Sequence, residues 1–224
     1  MTTNPIRVLQ CGLCPFQEAN SRQKRIREGV ARGTMPETIL ILEHPPVITR
    51  GRGDDGTQLR RPEEVIVREG IPVLDVERGG GATYHGPGQV VAYPVVRLSR
   101  FQNDIHRYLR VLEGVMIQVC RNVGVNAHRR EGLTGVWVED RKIAFLGVAV
   151  RGYVTFHGLS LNVLDVKQGF QWIDPCGLRD VIVTSLQEEG ASVAPSEVAE
   201  KLEETLLAAC EEDECWLGQP IPLG

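Results

Sequence analysis

The stretch Ile143 to Val150 reads IAFLGVAV, apolar at nearly every position. A strand covered on one side alternates apolar and polar residues; this one does not. It must be buried on both faces, so the chain needs a sheet with a covering layer on each side. At 224 residues it is long enough to bury such a core without a staple. Lys142 stands at the mouth of this strand. A lysine there would be partly desolvated, which lowers its pKa. The plainer alternative is an exposed hairpin lysine beside Arg141.

The other elements supply those layers. Gly135–Glu139 and Lys142–Val150 read as a hairpin around Asp140-Arg141, and Tyr153–Val163 as a third strand. Arg7–Gln10, Thr38–Glu43, Pro72–Val76 and Val90–Leu98 are further strands, and Val47–Thr49 resumes the second after His44-Pro45-Pro46. Phe16, Ala19, Gln23, Ile26 and Val30 lie at helical spacing, with Gly33 as the stop. Pro62–Glu69 is a short helix. Asn103 is placed to cap a longer one, whose stripe is Ile105, Tyr108, Leu109, Leu112, Val115, Met116 and Val119. Pro195–Cys210 is the last helix. Many strands around few helices predict an α+β domain with a mixed sheet flanked by helices.

Charge narrows the function. A net charge of −4 argues against bulk binding to nucleic acid or anionic membrane. Arg50, Arg52, Arg60, Arg61 and Arg78 are candidates for a local basic patch, or simply a solvated face. No segment is apolar enough to span a membrane, and MTTNPIRVLQ lacks the pattern of a secretory signal, so a cytoplasmic protein is expected. Its six cysteines are then thiols.

Several motifs compete. Gly51-Arg-Gly-Asp-Asp-Gly56 fits a dinucleotide fingerprint, but Asp54 and Asp55 would repel a pyrophosphate and no helix begins there. Cys11 and Cys14, with Cys210 and Cys215, could make a redox or zinc site, but the second spacing is loose, and no metal is expected. Between Arg78 and Gln89 fall five glycines, each letting the backbone approach a ligand and aim an N–H at it. A cluster of structural turns is the alternative. Cys176 sits between Pro175 and Gly177 in a loop, where substrate can reach a thiol.

Three segments together resemble one family. They are Arg78-Gly-Gly-Gly-Ala-Thr-Tyr-His-Gly-Pro-Gly-Gln89, the run from Gly135-Val-Trp-Val through Lys142-Ile-Ala-Phe-Leu-Gly147 to His157-Gly-Leu-Ser-Leu-Asn-Val163, and Ile173-Asp-Pro-Cys-Gly-Leu178. Their order and spacing are similar to the octanoyl-acyl carrier protein:protein N-octanoyltransferases, of the biotin and lipoate protein ligase superfamily. Leu42-Glu-His-Pro-Pro-Val47 fits as well. The resemblance implies that superfamily's α+β fold, with residues 1–224 as one catalytic domain. It implies octanoyl transfer from acyl carrier protein to a lysine of lipoyl domains, those of 2-oxoacid dehydrogenase complexes and of the glycine cleavage H protein. It implies Cys176 as the acyl carrier and Lys142 as its proton-handling partner, with no cofactor. Substrate-binding positions map onto Arg78, Gly79, Gly80, Gly81, Ala82, Thr83, Tyr84 and His85, onto Phe145, Leu146 and Gly147, and onto Gly158, Leu159 and Ser160. Phe145 stands where a small residue is common and would reshape the acyl tunnel. The rivals are an ATP-dependent lipoate or biotin ligase of the same fold, and a non-catalytic acyl-carrier-binding protein.

Overall fold

The computed structural model describes residues 5–177 and 181–212, all but the side chain of Cys176 among them. Seven strands make the main sheet: β1 (Arg7–Leu13), β2 (Thr38–Glu43), β6 (Gln89–Val95), β10 (Val154–Asn162), β9 (Arg141–Arg151), β8 (Leu133–Val138) and β7 (His128–Arg130), in that spatial order. β1 and β2 run parallel and the other neighbours antiparallel, so the sheet is mixed. The doubly apolar β9 lies inside it between β10 and β8.

Each face has its cover. Helix α1 (Phe16–Arg32) buries Phe16, Ala19, Gln23, Ile26 and Val30, the stripe read from its spacing. Its chain reverses at Gly33, whose φ of 72° is costly for any residue with a Cβ. Helices α3 (Ile105–Asn122) and α5 (Pro195–Glu211) pack together over the opposite face. There Tyr108, Leu112, Val115, Met116 and Val119 meet Val198, Leu202 and Leu206 in one core. Each such side chain, fully buried, contributes roughly 1.5–3 kcal/mol of transfer free energy. The N-terminus of α3 is capped by Asp104, which accepts from the backbone N–H of His106 at 2.7 Å, and not by Asn103 as expected. Asn103 instead turns the chain with a φ of 58°.

A second, three-stranded sheet was not expected. β3 (Val47–Arg50) does not resume β2 after the two prolines but lies between β4 (Val73–Asp75) and β5 (Ala82–His85). The short α2 (Glu63–Arg68) leads into β4, and the four-residue α4 (Lys167–Phe170) packs against β5. The middle of the glycine-rich segment is thus a strand, with residues 86–88 turning beyond it. Tyr84, Phe145 and Phe170 share a core beside this sheet.

Candidate active site

Arg78 organises the glycine-rich loop. Its buried guanidinium donates to the carbonyls of Gly79 (3.0 Å) and Gly81 (2.8 Å) and, from the other nitrogen, to Thr49 O (2.7 Å) and Oγ1 (2.8 Å). A charged donor shared among carbonyls folds the loop around itself. Arg78 therefore belongs to no surface patch. The loop also pairs with the other glycine-rich segment: the N–H groups of Gly51, Arg52 and Gly53 donate to the carbonyls of Gly81, Arg78 and Gly80. A Cβ on Gly51 would stand 2.3 Å from Gly80 O. Part of the glycine content thus serves the close approach of two backbones, as the structural-turn alternative had it. The Gly51–Gly56 segment is a turn with no helix behind it.

Between this loop and the main sheet lies a narrow cleft of about 20 Å³. Its wall includes Arg78, Thr83, His85, Phe145, Leu146, Gly147, Gly158, Leu159 and Ser160, nine of the positions carried over by resemblance. Gly79 and Gly80 line instead a wider hollow of about 340 Å³, where they meet Lys142, Leu146 and Gly147. Gly81, Ala82 and Tyr84 line neither. Tyr84 sets its ring edge-on to Phe170 and fills the space left by Gly86 and Gly169.

Phe16, Tyr93 and His157 complete the cleft, and the sequence reading missed all three. Phe16 lies near-parallel to the rings of His85 (6.5 Å) and His157 (6.4 Å). The histidine protons can be traced from groups that only accept. His44 Nδ1 is 2.6 Å from the carbonyl of Cys14, so it carries the hydrogen, and Nε2 accepts from the Tyr93 hydroxyl at 2.8 Å. The carbonyl of Thr184 takes the Asn162 amide, Asn162 Oδ1 takes the Gln89 amide, and Gln89 Oε1 takes His85 Nδ1–H at 2.6 Å. Burial holds His44 at a pKa of about 4. Burial, with His44 alongside, holds His85 at about 3, and burial with the nearby Arg78 charge does the same for His157. All three rings are neutral at pH 7. Two buried atoms of lining residues, Thr83 Oγ1 and His157 Nε2, have no hydrogen-bond partner among the described residues. His44 follows β2, His85 ends β5 and His157 lies in β10, so only the packing of distant strands brings them together.

Lys142 is 1% exposed, buried far beyond the partial desolvation expected. Its ammonium donates to Thr134 O at 3.0 Å and lies 4.9 Å from the Phe145 ring centre and 5.3 Å from that of Trp137. Two aromatic faces and a carbonyl offset part of its desolvation. Gly135 makes the room: its φ is 127°, and a Cβ there would sit 2.6 Å from Lys142 Cε. Phe145 in turn stacks on Phe170 at 4.9 Å.

Cys176 lies in the 3-10 turn Pro175–Gly177, against β5. The chain downstream of it returns to Lys142, whose N–H donates to Ile182 O at 2.8 Å while Thr184 N–H donates to Lys142 O at 3.0 Å. Six residues span at most about 20 Å, so the turn is tethered to the lysine's own strand. Of the other cysteines, Cys14, Cys120 and Cys210 are buried thiols and Cys11 is partly exposed; Cys215 lies outside the described residues.

Residues 15–207 match the lipoyl protein ligase A/B catalytic domain. The chain belongs to that family. It is 46% identical to an octanoyltransferase of Geobacter metallireducens over 78% of this chain and 79% of the relative. It is 45% identical to one of Roseiflexus sp. over 87% and 83%. Solved structures of the fold include a bipartite lipoate protein ligase of Thermoplasma acidophilum (TM-score 0.68, 19% identity, 90% of this chain and 82% of that one). Another is a lipoate-protein ligase A bound with ATP (TM-score 0.69, 16% identity, 92% and 86%). The expected α+β lipoate-ligase fold is therefore borne out. At such identities the two ligases speak for the fold alone.

Proposed function

We propose that this chain carries an octanoyl group from the thioester of an acyl carrier protein to a lysine of a lipoyl domain, through a thioester on Cys176. Octanoyl transfer is the activity named for its relatives at 37–46% identity over most of its length, and this chain is an acyltransferase of that kind in lipoyl synthesis. The carrier, the covalent intermediate and the residue roles are the proposal. The observation that carries it is Lys142, a lysine sunk beside the cleft wall under Phe145, on the strand to which the cysteine turn is tethered.

The chemistry needs no external activation, because a thioester already has a good leaving group. Free cysteine has a pKa of about 8.5 and free lysine about 10.4, so each needs the other. The Lys142 ammonium stabilises the Cys176 thiolate, which attacks the octanoyl carbonyl. The new C–S bond forms, the carrier's C–S bond breaks, and the carrier thiolate takes the proton of the Lys142 ammonium, which leaves Lys142 neutral. The acceptor lysine's amine then attacks the acyl-enzyme. Neutral Lys142 takes the amine's proton and Cys176 leaves as thiolate. The two groups titrate as a pair. Neutral imidazoles and apolar walls suit the cleft to an uncharged chain, and Phe145 closes the part of the wall nearest Lys142.

We take residues 1–224 as one catalytic domain acting in the cytoplasm, with lipoyl domains of 2-oxoacid dehydrogenases and the glycine cleavage H protein as acceptors. No helix among the described residues is long and apolar enough to cross a membrane. The test is intact mass after mixing the protein with octanoyl-acyl carrier protein, without ATP. A hydroxylamine-labile octanoyl adduct, absent in Cys176→Ala, is expected. No adduct, or one that survives Cys176→Ala, overturns the reading; transfer only with ATP would make the chain a ligase.

A further inference from the structure

We propose that Gln58 and Arg60 are positioning residues for the nucleophile: they clamp the turn carrying Cys176 to the glycine-rich loop and so set where the thiol stands. The inference rests on the reading of Cys176 as the acyl carrier.

A three-residue turn has no ladder of its own to hold it, and a nucleophile misplaced by an ångström loses much of its rate. Something outside the turn must fix it. Backbone pairing begins the job. Leu59 bridges Ile173, Arg60 N–H donates to Trp172 O at 2.8 Å, and Asp174 N–H donates to Gln58 O at 2.8 Å. Gly177 N–H then donates to Asp174 O at 3.1 Å, closing the turn around Cys176. Asp174 is thus tied at both its N–H and its carbonyl.

Two side chains complete the clamp. The Arg60 guanidinium donates to Asp174 Oδ1 from Nε and Nη2, both at 2.8 Å. Gln58 is buried, and its Oε1 accepts the N–H of Ala82 at 2.6 Å while Nε2 donates to Gly53 O at 3.3 Å. Its amide occupies the room that two glycines leave. A Cβ on Gly81 would stand 1.9 Å from Oε1, and one on Gly177 would stand 3.3 Å from Nε2. One of those glycines belongs to the glycine-rich loop and the other to the cysteine turn. An amide suits the place because it offers an acceptor and a donor at fixed separation, where a hydrocarbon would leave Ala82 N–H and Gly53 O unanswered. Gly81 is therefore required by Gln58 and not by a ligand. Arg60, considered above for a basic patch, is committed to the turn.

The test compares Gln58→Leu, Gln58→Glu, Arg60→Ala and Arg60→Lys in the full chain. The readouts are the rate of the first acylation of Cys176 by octanoyl-acyl carrier protein, the KM for that carrier, and the thermal unfolding midpoint. Gln58→Leu is expected to slow acylation about 10- to 100-fold, the scale of a misplaced reacting group. Its KM should stay within about twofold, as for an interaction absent from ground-state binding. Gln58→Glu, which keeps an acceptor for Ala82 N–H, should recover part of the loss. Arg60→Ala should slow acylation about 2- to 10-fold, with Arg60→Lys between it and wild type, because the pair is partly exposed. Wild-type acylation in both Gln58→Leu and Arg60→Ala, or a loss confined to KM, overturns the proposal. If Gln58→Leu does not fold, the exposed Arg60 pair of variants decides alone. The parent reading fails separately: it falls if the wild-type chain forms no adduct on Cys176, and stands if these variants form it at the wild-type rate.

Discussion

Lys142 and Cys176 are held in opposite ways. Lys142 sits in the main sheet: its backbone pairs with Trp137 on one side and with the Ile182–Thr184 segment on the other, and its side chain is packed under two aromatic rings. Cys176 sits on a turn outside both sheets, kept in place by one short bridge, an ion pair and a buried amide. The proposed proton-handling group is set by the core and the proposed acyl carrier by local contacts. A group that only exchanges protons gains from a fixed, dry setting. A group that must meet a carrier thioester and then an incoming amine needs an approach from outside.

That contrast can be broken in graded steps. The largest effect is expected from Lys142→Met, which keeps the buried stem and removes the ammonium. Transfer should fall about 10²- to 10⁴-fold, the usual worth of a positioned acid–base group, with the fold retained by circular dichroism. A modest fall would mean the lysine is structural. Next is Gly135→Ala. Its Cβ would meet Lys142 Cε at 2.6 Å and Ala144 O at 2.8 Å on a backbone with φ of 127°. About 1–3 kcal/mol of stability should be lost by denaturant titration. The same change at Gly12, φ 58° and open space around it, carries only the backbone strain and should cost less.

Acid should act through the histidines. Their folded pKa values, about 4 for His44 and about 3 for His85 and His157, lie below the unfolded value of 6.5. The unfolded chain therefore takes up protons first as pH drops. The stability due to the neutral rings is intact above pH 6.5 and is lost toward pH 3, by about 1.4 kcal/mol per pH unit for each ring in its window. Unfolding followed from pH 7 to 4 should show this slope, and His157→Asn, which tolerates the φ of 55°, should flatten it. A slope unchanged in that variant would count against His157. The smallest effect is at the surface. Reversing the exposed Arg52 and Arg61 should raise the carrier KM a few-fold, about the scale of rim charges, and less so in high salt. An unchanged KM would show that this basic patch does not meet the carrier.

Much of the fold was legible in the residues. The α1 stripe from Phe16 to Val30, the hairpin around Asp140 and the doubly apolar β9 are local patterns whose period forces their structure. What stayed hidden was non-local. The three-stranded sheet was missed because strands of three and four residues are too short to carry a period. Phe16 was read as helix core, and it is; its ring also walls the cleft, which only the packing of α1 on the sheet brings about. Gln58 had no motif around it, because its partners are backbone atoms of Gly53 and Ala82.

The sequence alone determined the class of fold, the covering of β9 on both faces, and the chemical types from which a site could be built. Tertiary structure alone decided which glycines line the cleft and which meet another backbone, that Arg78 folds a loop instead of facing solvent, and that Lys142 lies under Trp137 and Phe145. The reason is physical. Periodicity and turn chemistry act between residues a few positions apart, whereas a hydrogen bond such as Asp174 N–H to Gln58 O exists only once the chain between them has folded.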